Sequence, residues 1–271
     1  MSVHRRVILL AYSLAIVCIL ERQEGKEMYE DSIYITIDID WACDEVLEYT
    51  IDFLEQNKMK ATFFVTHDTP LLKRLRESPL FELGIHPNFQ YLLNGTSEYR
   101  DMQEALNAIL ETVPEAKSVR CHCLVQSSPL LDLFWQTGIR YDVNLFLPWS
   151  SGMPLKPLPH WNSLVRVPFF WEDDVQCIQG TAKGWDAEAL LRLKGLKVFN
   201  FHPIHLFLNT ECIKRYEKAK ECQSDFERLG QFRFRSEGQV GAFAILRNIE
   251  KEARKQKKRF RQIMEIEDYA M

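Results

Sequence analysis

The chain has 271 residues, 46% hydrophobic and 27% charged, with a formal net charge of −4. That balance is globular and excludes extended disorder, and the length suits one large domain or two small ones. The mildly acidic character offers no electrostatic case for nucleic acid as the main partner.

Seven cysteines, at positions 18, 43, 121, 123, 177, 212 and 222, are odd in number and scattered, with no CxxC pair. This excludes a readable zinc knuckle or thioredoxin-type motif and favours reduced thiols in a cytoplasmic protein. The N-terminus opens with "MSVHRRVILLAYSLAIVCIL", in which Arg5 and Arg6 precede an apolar run over 7–20. That run is short of the about 20 residues a membrane span needs, and no small-residue cleavage site follows. Three readings stay open for residues 1–27. They form a signal or short anchor, giving membrane contact through 7–20 and an anchored or exported protein. They form a helix packed on the domain. Or they lie outside the natural fold, with translation starting at Met28.

From residue 33 strands and helices alternate. "IYITID" (33–38) is β-branched and continuous, as in a strand buried on both faces. Helical spacing follows over 43–57, then a strand "KATFFVT" (60–66) and a short helix opened by Pro70. "LFELGIH" (80–86) predicts a third strand, and 97–113 a helix with Ser97 as its cap. "KSVRCHCLV" (117–125) predicts a fourth strand. A helix over 128–138 closed by Gly138 and a fifth strand over 139–146 come next. A proline-rich loop (147–161) leads to the strand "LVRVPFFW" (164–171), a helix over 186–193 and the strand "GLKVFNFH" (195–202). The remainder reads as helical, with seven basic residues within 251–261 that suit either a solvated helical face or contact with phosphate or anionic membrane.

This alternation predicts an α/β fold of about seven strands on a parallel sheet, open or closed into a barrel. Sites in such folds form at the C-terminal strand ends. There the sequence places Asp38 and Asp40, then His67, then His86 and Asn88, then Arg120 and His122, then Trp171-Glu172-Asp173-Asp174, and last His202 and His205. Each has an ordinary reading on its own: Asp40 as a helix cap, Glu172-Asp173-Asp174 as a solvated turn, a lone histidine as a hydrogen-bonding residue. Cys121 and Cys123, flanking His122 on a strand, would point together into the core. Convergence of five of the seven histidines with an Asp pair is what argues for one site. Carboxylate plus imidazole is the ligand set of zinc or a similar divalent ion. With a free carboxylate as base and a histidine as acid, it supplies what amide or ester hydrolysis requires.

The order "TIDID … KATFFVT … LGIHPN … VRCH … WEDDV … FHPIH" resembles the NodB-homology polysaccharide deacetylases, carbohydrate esterase family 4. It is more similar to the WbmS-like branch found in surface-polysaccharide gene clusters. The resemblance covers about residues 32–210 and implies a distorted (β/α) barrel of about seven strands, of the glycoside hydrolase/deacetylase type. It divides the chain into the segment 1–27, a barrel over 28–210, and C-terminal helices over 211–271 packed on it or trailing it. It implies a metal-dependent hydrolase, with a divalent metal such as zinc, that removes an N-acetyl group from a nucleotide-linked, lipid-linked or polymeric sugar. By position Asp38 is similar to the family's base, Asp40 to its metal-binding Asp, His86 to its first metal histidine, His202 to its acid and Arg120 to the arginine that orients the base. The second metal histidine is replaced by Gln90. His122 is the preferred substitute ligand and His67 the other. Substrate contacts are assigned to His67, Asn88, Trp171, Asp173, Asp174 and His205. Two alternatives remain: another metal-dependent amide or ester hydrolase on this barrel, or a sugar-binding homologue without catalysis.

Overall fold

A computed structural model describes residues 29–40, 43–235 and 240–269. The expectations for residues 1–27 lie outside these, as does Trp41. No helix among the described residues is long and apolar enough to cross a membrane.

Ten strands form one sheet: β1 (Ser32–Asp38), β2 (Ala61–Val65), β3 (Phe81–Ile85), β4 (Ser118–Val119), β5 (Tyr141–Asp142), β6 (Leu158–Pro159), β7 (Val165–Arg166), β8 (Trp171–Glu172), β9 (Val198–Phe201) and β10 (Arg259–Arg261). Their order is β6-β7-β5-β4-β3-β2-β1-β9-β8, with β10 beside β1. Every pairing is parallel except β6 with β7. β1 and β2 are buried along their whole length, which is why they read as unbroken apolar runs. The helix Asp44–Gln56 buries Val46, Leu47, Thr50, Ile51 and Leu54, the inward stripe of a 3.6-residue period.

The sheet curls. β7 and β8 are separated by 167–170 alone, yet lie seven ladder steps apart in the strand order. Flat, that path would span about 34 Å at roughly 4.8 Å per strand. The connecting chain reaches about 17 Å at most. One run therefore bridges both ends of the sheet. Phe169 N–H donates to the Leu145 carbonyl at 3.0 Å, and Phe170 N–H donates to the Val198 carbonyl at 3.3 Å. The single strand predicted over 164–171 is thus two strands on opposite edges, broken at Pro168, which has no N–H to donate.

Four more expectations change. The fourth and fifth strands shrink to two residues each. Past β4, Cys121 N–H bonds the Asn144 side chain (2.7 Å) and His122 N–H the Pro87 carbonyl (3.0 Å), so the chain turns out of the ladder. His122–Leu124 is a 3₁₀ turn, with Cys121 buried and Cys123 exposed at φ +54°, so the two cysteines do not share a core face. The helix predicted from Ser97 is Met102–Thr112, capped by Asp101, which accepts the Glu104 N–H at 2.9 Å. The basic tail is not all helix. It leaves the helix Ala242–Lys255 at Lys255 and pairs as β10 with Ser32–Tyr34. Ile263 and Ile266 then pack in the same buried cluster as the strands.

Candidate active site

β1 ends on Asp38, with Asp40 two residues on, and parallel pairing brings the ends of β2, β3, β9 and β8 beside it. Asp38 is buried (2% exposed) and fully engaged. Its Oδ1 accepts from Arg120 at 3.0 Å and its Oδ2 from the Asn200 side-chain amide at 2.9 Å. Arg120 is wholly buried between the rings of Phe64 and Phe169, its guanidinium carbon 4.7 and 4.4 Å from their centroids. It also donates to the Thr36 hydroxyl at 2.8 Å and to the Asn200 side-chain oxygen. A planar cation clamped by two rings holds the carboxylate in one orientation.

Asp40 is held differently. It does not cap the following helix, whose first turn is preceded by Cys43 without a side-chain cap. Its Oδ1 lies 3.8 Å from His86 Nε2. Its Oδ2 lies 3.0 Å from His122 Nδ1, within ion-pair distance. Both Asp40 oxygens and His86 Nδ1 are buried without a hydrogen-bond partner. Burial alone would raise the Asp40 pKa, but His86, His122 and His202 hold it well below the usual carboxylate range. Burial pulls His86 below its ordinary value against Asp38 and Asp40, favouring the neutral imidazole that binds metals. One ligand atom from each of Asp40, His86 and His122 falls within 4.8 Å of the others. Two imidazoles and an ionised carboxylate whose two buried oxygens receive no hydrogen bond fit a divalent cation.

His202 faces Asp38 from the end of β9, with Nε2 3.9 Å from Asp38 Oδ2. Its Nδ1 bonds Asp173 at 2.7 Å, and its backbone N–H donates to the other Asp173 oxygen at 2.8 Å. Burial pulls the His202 pKa down, but Asp174, Asp173 and Asp40 overcome it and hold it well above the ordinary value. Asp174 is bonded to His205 Nε2 at 2.6 Å; burial would raise its pKa, but His202 and His205 bring it down to about 2.

The structure brings Asp38, Asp40, His86, Arg120, His122 and His202 together. His67 stays outside the Asp40 cluster; it is exposed and bonded to Thr66 at 2.6 Å. With Asn88 it lines a cleft of about 520 Å³ that opens beside Asp40, His86 and His122. Three expected substrate contacts are corrected. Trp171 is 1% exposed, packed on Phe199 and Phe201, with its indole N–H on the Gly184 carbonyl. His205 and Asp173 are 0% exposed, one supporting Asp174 and the other His202. All three lie beneath the site rather than facing a substrate.

Thr36 and Asn200, not singled out from sequence, complete the network with Glu172, which the sequence placed at a strand end without assigning it a role. A signal existed for two of them: Thr36 precedes Asp38, and Asn200 precedes His202, by two residues on the same strand face. Asn200 also donates to Glu172 Oε1 at 3.1 Å. Burial, with Asp174 and Asp38, pushes the half-buried Glu172 carboxyl up to about 7 against the pull of His202.

The sequence matches the family model of WbmS-like polysaccharide deacetylases over residues 35–220. It is 41% identical to a candidate polysaccharide deacetylase involved in O-antigen biosynthesis from Bordetella bronchiseptica, covering 82% of this chain and 90% of that one, with a TM-score of 0.74. More distant likenesses include a peptidoglycan N-acetylglucosamine deacetylase (15% identity, 87% of each chain, TM-score 0.48). Another is a polysaccharide deacetylase from Bacillus cereus (14% identity, 85% of this chain and 90% of that one, TM-score 0.45). No curated protein matches the chain.

Proposed function

The chain belongs to the WbmS-like polysaccharide deacetylases, and from that premise we propose that it is a metal-dependent hydrolase removing an N-acetyl group from a sugar in surface-polysaccharide biosynthesis. The observation that carries this is the division of labour between two neighbouring carboxylates. Asp40 lies beside His86 and His122 and its oxygens receive no hydrogen bond, whereas Asp38, itself 3.8 Å from His86, has one oxygen bonded by Arg120 and the other by Asn200.

Asp40, His86 and His122 would hold the cation, and this donor set suits zinc. When bound, the ion would polarise the acetamide carbonyl and make an attacking water more acidic. Asp38, hydrogen-bonded by Arg120 and Asn200, takes the water's proton. His202, kept protonated by Asp173 and Asp174, delivers one to the departing amine nitrogen across the site. Replacing either group removes a proton transfer worth about 10²–10⁴ in rate.

Two variants test this together. Asp38→Asn retains metal and loses acetate release from a panel of nucleotide-activated N-acetyl sugars. His122→Ala loses metal, read by elemental analysis, by more than the about 10–100-fold cost of an outer-shell change. Acetate release surviving in Asp38→Asn would overturn the role of Asp38. A wild-type protein that takes up neither zinc, cobalt nor manganese would favour a sugar-binding homologue without catalysis.

A further inference from the structure

The Asn200 amide has a definite orientation. Its Oδ1 accepts from the Arg120 guanidinium and from the Thr36 hydroxyl at 3.0 Å. A guanidinium only donates, so the oxygen must face Arg120 and the NH₂ must face away from it. That NH₂ holds two carboxylates, Asp38 at 2.9 Å and Glu172 at 3.1 Å. Asp38 has Arg120 on its other oxygen. Among the described residues, Glu172 receives no second hydrogen bond.

An acid in this place is costly. It sits beside two other carboxylates, half-buried, with no cation bonded to it, and a group so placed is stabilised only when a donor reaches it. Its position indicates which donor. An oxygen of Glu172 lies within 4.8 Å of an oxygen of Asp38 and a ring nitrogen of His202, and Glu172 has no part in the Asp40, His86 and His122 cluster. A trans secondary amide carries its carbonyl oxygen and its N–H on opposite edges. With the oxygen turned towards Asp40, His86 and His122, the N–H is turned towards Asp38, His202 and Glu172. On the proposed mechanism the remaining acceptor capacity of Asp38 is committed to the attacking water, and His202 is the proton donor to that nitrogen. Glu172 is the acceptor that remains.

We infer that Glu172, positioned by Asn200, binds the acetamide N–H of the substrate and then the ammonium of the product, so that the site selects N-acyl over O-acyl sugars. This rests on the deacetylase reading. An ester offers no N–H, so it leaves Glu172 unpaired and forfeits the contact.

The test compares kcat/KM for the N-acetyl sugar that the wild type turns over best with that for 4-nitrophenyl acetate, in wild type, Glu172→Ala and Glu172→Gln. The amide-to-ester ratio falls by about 10–100-fold in Glu172→Ala, the worth of one hydrogen bond to a charged acceptor, and by less in Glu172→Gln, which keeps one oxygen. Calorimetry gives a readout without turnover: the free amine product binds at least about tenfold more weakly to Glu172→Gln, which has no charge for an ammonium. A ratio unchanged in both variants, with both activities falling together, would show a merely structural residue and overturn the inference. So would undiminished amine binding. Wild-type inactivity on every N-acetyl sugar, with ester cleavage retained, would overturn the deacetylase reading itself and this inference with it.

Discussion

Asp38 and Asp40 stand two residues apart and receive opposite treatment, one saturated with donors and the other left facing histidines. The pair was legible in the sequence, because two carboxylates closing an apolar strand need a reason. His122, which the sequence already offered in place of the histidine missing at Gln90, lies on a different strand end and is brought to 3.0 Å from Asp40 by β3–β4 pairing. If His202 is the acid, as proposed, its neighbours set the pH range in which it can act. Its raised pKa means the protonated form favours the fold, so that contribution is complete below about 6.5 and is lost as pH rises through the folded value. Asp173→Asn removes one of the carboxylates that raise it. The alkaline limb of the kcat/KM profile then moves to lower pH by about one unit or more, and melting temperature begins to fall at a lower pH than in wild type. An alkaline limb that stays in place in Asp173→Asn would show that Asp173 does not tune the acid.

At the level of elements, β1, β2, β3 and β9 were readable because each is an apolar run long enough to stand out. β4, β5, β7 and β8 are two residues each, lying inside the longer runs over 117–125, 139–146 and 164–171 that the sequence read as whole strands. Their place is set by neighbours: Val119 joins the sheet because Ile85 is there to pair, and Asp142 because Val119 and Arg166 flank it. Gly84 shows how tight that pairing is. A Cβ there would meet Ser118 Oγ at 2.5 Å and the Phe64 ring at 2.8 Å. Phe64 is also one of the rings that clamp Arg120. Gly84→Ala is therefore expected to cost about 1–3 kcal/mol by overpacking, and to lower kcat through Arg120 and Asp38. Urea denaturation measures the first part; a variant as stable and as active as wild type would show that β3 and β4 have slack.

At the scale of the whole molecule, the barrel is closed by the chain at Phe169 and Phe170 and sealed near the start of β1 by the C-terminal tail. Glu82, fully buried, gathers that seal: it accepts from Thr62 and Ser118 at 2.7 Å and from the Met264 N–H at 3.0 Å. Ile266, 0% exposed, packs in the same buried cluster as the strands, so Ile266→Ala should cost about 2–5 kcal/mol in a denaturant titration. A loss below about 0.5 kcal/mol, the size of a surface substitution, would mean the tail only lies against the barrel. The sequence by itself determined the βα alternation, the polar residues at the strand ends and the family, because these rest on local periodicity and on residues adjacent in the chain. Tertiary structure alone decided that 164–171 spans two edges of the sheet, that the basic tail contributes a strand, that Trp171 and His205 are buried, and that Asn200 ties Asp38 to Glu172. Each of those depends on contacts between residues far apart in the chain, which no local pattern records.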